Sequence, residues 1–151
     1  MKYQKKQKTF SPRKFRSGLE KEIASQLCQQ RIKFEYETLT VKYSKPTSKY
    51  TPDFILPNGI IIEAKGQFVS SDRSKHKLIA QQHPDLDIRF VFSNSRTRIG
   101  KKSKTTYAMW CDRFGFNFSD VSIPAAWIRE PKQQKRIKAI RRCLDDRKKK
   151  D

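Results

Sequence analysis

Apolar residues recur at helical spacing from Ser17 to about Lys33, with Leu19, Ile23, Leu27 and Cys28 on one stripe. Ser17 followed by Glu20 is a capping-box pattern and predicts where that helix begins. Phe34 to Tyr43 then reads as extended, but its apolar face switches between Tyr36 and Leu39, which predicts a bulge or bend. A polar, proline-containing connector, Ser44-Lys45-Pro46-Thr47-Ser48-Lys49, leads to an apolar hairpin over roughly residues 50–66. Ser71 or Asp72 is placed to cap a second helix ending before Pro84. Leu86 to Phe92 predicts another strand, and Thr105 to Phe114 a helix stopped by Gly115. Ser122 to Ile128 is short and apolar, and positioned to pack Trp127 on a core. Beyond Pro131, Ile137, Ile140 and Leu144 return at helical spacing in a very basic segment. That pattern leaves its docking open among DNA, a partner and nothing. The order is mixed α/β, and 151 residues suffice for one ordinary domain with a real core.

The hairpin contains residues that its apolar pattern does not need. Phe54, Ile55, Leu56, Ile60, Ile61 and Ile62 are interrupted by Asp53 before the turn and by Glu63 and Lys65 after it. Charged groups inside a sheet are costly unless they are paired, bind metal or do chemistry. Alternation puts Glu63 and Lys65 on one face and Ala64 on the other. The turn decides whether Asp53 joins them. A two-residue Asn58-Gly59 loop would set Asp53 opposite Ala64. A three-residue Pro57-Asn58-Gly59 loop, a type I turn closed by a left-handed residue, pairs Leu56 with Ile60 and sets Asp53 against Glu63. Proline suits its first position and glycine its last. Turn chemistry thus predicts that two carboxylates and an ammonium converge.

Two hard carboxylates suit Mg²⁺ or Mn²⁺, and the lysine can orient a metal-activated water or stabilise developing charge on a phosphate. The competing reading is a hairpin with an ordinary Asp–Lys or Glu–Lys ion pair, since bare patterns of this kind are common by chance. The charge balance favours the first. The chain carries 35 basic and 15 acidic residues, a formal charge of +20. Residues 1–16 contribute +7 with no acid, and residues 129–151 contribute another +7. Two basic arms on a moderately basic domain are a footprint for a polyanion, against the blander alternative of solubilising tails. Cys28, Cys111 and Cys143 lack paired spacing, and neither His76 nor His83 sits in a zinc pattern. These features predict reduced thiols, an intracellular protein and no structural zinc. No apolar run approaches a signal sequence or membrane span, and there is no internal repeat.

Several collinear blocks carry a family resemblance. They include Arg16-Ser17-Gly18-Leu19-Glu20, Lys33-Phe34-Glu35-Tyr36-Glu37, Tyr50-Thr51-Pro52-Asp53-Phe54 and Leu56-Pro57-Asn58-Gly59-Ile60. Glu63-x-Lys65-Gly66, Gln82-His83-Pro84, Val91-Phe92-Ser93, Ser95-Arg96-Thr97 and Trp127-Ile128 continue them. Over about residues 13–131 the chain resembles the endonuclease I of T-odd-type bacteriophages.

The resemblance implies a restriction-endonuclease-like fold, with a mixed central sheet flanked by helices, and an intertwined, segment-swapped homodimer. It implies Mg²⁺-dependent resolution of four-way DNA junctions and other branched DNA, with Mn²⁺ substituting and two ions per site. Asp53 and Glu63 would be metal ligands with the Ala64 carbonyl nearby, Lys65 the catalytic lysine, and Glu20 a fourth acidic residue. The residues alone suggest only a capping role for Glu20. The bridge between swapped halves maps to about residues 43–50, in a connector shorter than the family pattern. The organisation expected is a basic arm over 1–16, a nuclease domain over 17–131 and a basic helix or tail over 132–151. Arg13, Lys14, Arg16, Arg73, Lys75, Arg96 and Arg98 are the candidate DNA contacts. No membrane and no small-molecule substrate are expected, and the location implied is the cytoplasm of an infected bacterium. The alternatives are a less selective nuclease for duplex DNA or RNA and a non-catalytic DNA-binding protein.

Overall fold

The computed structural model describes residues 15–43 and 48–148. The first helix, α1, runs Gly18–Gln29. The predicted capping box forms in both directions. Glu20 N donates to Ser17 Oγ at 3.1 Å, and Ser17 N donates to Glu20 Oε2 at 2.7 Å. The helix stops short of Lys33 because Arg31 turns left-handed, at φ 55°, and Ile32 N folds back onto the Leu27 carbonyl.

The extended region that follows is broken in two. Strand β1 spans Glu35–Tyr36 and β2 spans Val41–Lys42. Between them Glu37 adopts φ 51°, which is the bend that the switching apolar face predicts. Residues 44–47, most of the polar connector and half of the expected bridge, lie outside the described residues. Strand β3, Lys49–Tyr50, pairs back on β2, with Val41 opposite Tyr50 and Lys42 opposite Lys49.

The central hairpin takes the three-residue turn. Strands β4, Phe54–Ile55, and β5, Ile60–Lys65, pair Phe54 with Ile62 and Ile55 with Ile61. Leu56 N bonds the Ile60 carbonyl at 2.9 Å, and Gly59 closes the turn at φ 90°. Helix α2, Ser70–Gln82, then crosses to strand β6, Asp87–Phe92, which runs parallel to β5. The predicted caps Ser71 and Asp72 fall inside α2; Val69 occupies the cap position without a side-chain bond. Asp72 is drawn instead to Lys65 and Lys75. Helix α3, Tyr107–Phe114, is capped by Thr106 and ended by left-handed Gly115. Strand β7, Phe118–Asp120, completes a five-stranded sheet of order β1-β4-β5-β6-β7. It was not anticipated, because an edge strand of three residues leaves no alternation to read.

Side-chain alternation along β5 sorts the core. Ile60 and Ile62 pack with Leu19, Ile23 and Leu27 of α1, and Phe54 and Val91 join them. On the other face Ile61 and Ile55 pack with Ile79, Ile88, Val41 and Tyr50. Phe68, Phe90, Phe92, Tyr107 and Trp110 form a third, aromatic cluster under α3. The short helix α4, Ala125–Arg129, brings Trp127 and Ile128 against the first cluster, as the apolar segment suggests.

The C-terminal helix α5, Gln134–Lys148, docks on its own chain. Ile140 and Cys143 are buried in the second cluster against Leu39, Val41 and Tyr50. An ionic network of two buried arginines and two half-buried acids anchors its start. Arg136 Nη2 lies 2.8 Å from Asp87 and 2.7 Å from Glu130, while Arg89 reaches both acids at 2.9 and 2.8 Å. Among the described residues no helix is long and apolar enough to cross a membrane, and the three cysteines are free thiols.

Candidate active site

The hairpin register sets Asp53 against Glu63, and the pleat puts Lys65 on the same face as Glu63. Asp53 is further tied down by the Ala64 N–H, which donates to its Oδ2 at 2.8 Å. Glu63 is almost fully buried. Its Oε2 accepts a 2.7 Å hydrogen bond from the Tyr50 hydroxyl, and its Oε1 lies 3.5 Å from Lys65 Nζ. Lys65 is held from its other side by Asp72, at 3.3 Å. All of them except Asp72 line one cleft of about 430 Å³, together with Glu20, Glu37, Arg16, Lys49 and Lys75.

Glu20 reaches the cleft from α1 without leaving its cap. While Oε2 holds Ser17 N, Oε1 accepts from the Tyr36 hydroxyl at 3.3 Å. Capping and a place in the acidic group are therefore compatible. In this single chain Glu20 and the hairpin acids come from the same polypeptide. The carboxylates of Glu20, Glu37 and Asp53 each bring an oxygen within 4.8 Å of the others. Glu37 was missed by sequence reasoning. It enters because the left-handed bend turns its backbone toward the hairpin, where Glu37 N donates to the Asp53 carbonyl at 3.1 Å. Tyr50, Asp72 and Lys49 were also missed. Tyr50 abuts the Pro52-Asp53 motif and was readable as a neighbour; the other two carry no local signal.

Burial and neighbouring charges set the electrostatics of this cluster. Burial, then Glu63, then Glu20 push the Asp53 carboxyl up to about 9, against the lowering effect of the Ala64 N–H. Burial also raises Glu63, opposed by Lys65 and the Tyr50 hydrogen bond. Burial alone would lower Lys65, but Glu63 and Asp72 outweigh it and hold the ammonium charged. Carboxylates gathered at one cleft, all offering hard oxygen donors, fit a divalent cation such as Mg²⁺ or Mn²⁺.

The candidate DNA contacts divide. Arg16 is mostly exposed at the cleft mouth and pairs with Glu37 at 2.9 Å. Lys75 lies at the cleft beside Asp72. Arg73 commits one donor to the Phe68 carbonyl. Arg96 and Arg98 are exposed on the loop after β6, which also displays Lys101, Lys102 and Lys104. That loop is tied to β7 and α3, with Ser95 N donating to Asp120 at 2.8 Å and Tyr107 N to the Thr97 carbonyl at 2.9 Å. Arg13 and Lys14 lie outside the described residues.

Buried acids and a charged lysine at a cleft with a basic mouth make up the equipment of a phosphodiester-cleaving enzyme. The sequence model of the phage endonuclease I family matches residues 1–150. The chain belongs to that family and is an endonuclease. It is 55% identical over 122 residues to the endonuclease I of Escherichia phage T7, covering 80% of this chain and 82% of the relative. It is 52% identical over 124 residues to the endodeoxyribonuclease 1 of Enterobacteria phage T3, covering 81% and 82%.

Proposed function

We propose that this phage deoxyribonuclease resolves four-way DNA junctions and other branched DNA by paired phosphodiester hydrolysis on opposite strands. It would act in the cytoplasm of the infected bacterium. The observation that carries the reading is the convergence of Asp53, Glu63, Lys65 and Glu20 in one cleft whose mouth carries Arg16, Lys49 and Lys75. A non-catalytic DNA-binding protein would have no use for a buried carboxylate pair with a lysine beside it.

Asp53, Glu63, Glu20 and the Ala64 carbonyl would hold Mg²⁺, two ions per site, with Glu37 alongside and Mn²⁺ able to substitute. Bound there, the metal supplies Lewis acidity and a lowered pKa for water. Lys65, kept charged by Glu63 and Asp72, orients the attacking water or steadies charge developing on the phosphate. Tyr36 and the α1 cap keep Glu20 turned into the cleft. The exposed arginines and lysines contact phosphates without reading sequence, so selection rests on branch shape and deformability.

The acting form is a two-fold homodimer, which matches the two-fold symmetry of a stacked junction. An exchange of halves would keep every contact described above while supplying Glu20 from the partner. The β2–β3 pairing flanks the connector evenly, so the same ladder serves within one chain or between two. The deciding assay offers Mg²⁺ with equal amounts of junction, linear duplex and RNA. Junction cleavage should dominate, and Lys65→Ala should reduce it about a hundredfold or more while leaving junction binding intact. Full activity of Lys65→Ala, or equal cleavage of the three substrates, refutes the proposal.

A further inference from the structure

Tyr50 is almost fully buried, yet its hydroxyl has found a carboxylate. The 2.7 Å bond to Glu63 Oε2 pins one oxygen, and Lys65 at 3.5 Å faces the other. A carboxylate held at both oxygens has one orientation. The ring that carries the hydroxyl is itself fixed. His76 meets it edge-on at 5.0 Å and 82°, and His76 in turn leans on Phe90 at 4.8 Å. Neither ring nitrogen of His76 has a hydrogen-bond partner, so the imidazole serves here as a flat packing disc. On the backbone side, Tyr50 pairs with Val41, and its side chain packs with Leu39, Val41 and Ile140.

We infer that Tyr50 is a positioning residue for Glu63. It sets the carboxylate plane for the divalent cation, and it ties that plane to the strand pair that brackets the connector. This rests on the metal-nuclease reading and deepens it. Groups that hold metal-ligating carboxylates through hydrogen bonds typically contribute 10–100-fold to metal affinity. Tyr50 stands on β3, so a displacement of the β2–β3 pair reaches Glu63 through a single hydrogen bond. Pairing of β2 with β3 thereby helps to set the orientation of Glu63 at the cation site.

The test uses the full chain without DNA and Mn²⁺ alone as probe, with free Mn²⁺ read by electron paramagnetic resonance. Tyr50→Phe removes one hydroxyl and keeps the ring. It should raise the Mn²⁺ dissociation constant about tenfold or more. The Mg²⁺ concentration for half-maximal junction cleavage should rise in parallel, and junction binding in chelator should stay within about twofold. Phe68→Leu loosens the aromatic packing behind His76 without touching the phenol, and should leave Mn²⁺ affinity unchanged even as it lowers stability. Mn²⁺ affinity within about twofold of wild type in Tyr50→Phe overturns the inference. So does an equal loss in Phe68→Leu, which would reduce Tyr50 to packing. Wild-type protein that binds no Mn²⁺ overturns the metal reading and the inference together, a result distinct from the other two.

Discussion

Gly59 joins the turn, the site register and the C-terminal helix at one atom position. Its φ of 90° is left-handed, and a Cβ added there would lie 2.8 Å from Arg136 Cβ and 3.2 Å from Ile137 Cδ1. Gly59→Ala therefore meets two separate costs. A non-glycine residue in left-handed backbone costs about 1–2 kcal/mol. Forcing a methyl into a close-packed contact costs about 1–3 kcal/mol more, because Arg136 cannot swing away while Asp87 and Glu130 hold its guanidinium. The combined loss is about 3 kcal/mol. With a urea m-value of about 2 kcal/mol/M, the unfolding midpoint should fall by about 1.5 M. Gly59→Asn separates the two costs, since Asn tolerates the left-handed region but still carries a Cβ; it should recover about 1 kcal/mol. An unchanged midpoint for Gly59→Ala would refute both the three-residue turn and the docking of α5 against it. Equal losses for Ala and Asn would leave the steric contact as the only cause.

Two other outcomes are expected. Glu20→Ala chains co-purified with Asp53→Ala chains as a tagged heterodimer should nick one strand of a junction, because exchanged halves place both defects in one site and repair the other. Inactivity of a junction-binding heterodimer would show that each chain completes its own site. Burial, with Lys75 and Lys65 behind it, depresses His76 well below its ordinary 6.5, so the imidazole stays neutral when folded and takes up a proton when unfolded. Stability from this group is full above that value. It falls by about 1.4 kcal/mol per pH unit below it, for as long as the folded ring remains neutral. Urea titrations between pH 7.5 and 5 should show His76→Phe losing this part of the slope, and an unchanged slope would mean that the ring is not the acid-sensitive group.

What the sequence determined was whatever local rules control. Ser17 and Glu20 fixed the start of α1, and Gly115 the end of α3, because caps are made by residues a few positions apart. Pro57-Asn58-Gly59 set the hairpin register, and with strict alternation that was enough to bring Asp53, Glu63 and Lys65 together. Tertiary structure decided what depends on distant segments. Glu37 and Tyr50 join the site only because a left-handed bend and a two-residue strand fold back beside the hairpin. Asp72 falls inside α2 rather than at its cap, and pairs there with Lys65 from another element. The basic α5 reads as an arm, since its charge dominates its composition. It packs as a core helix because Ile140 and Cys143 find the apolar face of β5 that α1 leaves uncovered, and because Arg136 finds Asp87, on a distant strand, as well as the nearby Glu130. Caps and turns are short-range and legible in one dimension. The partners of a buried charge or an apolar stripe are chosen only when the chain closes on itself.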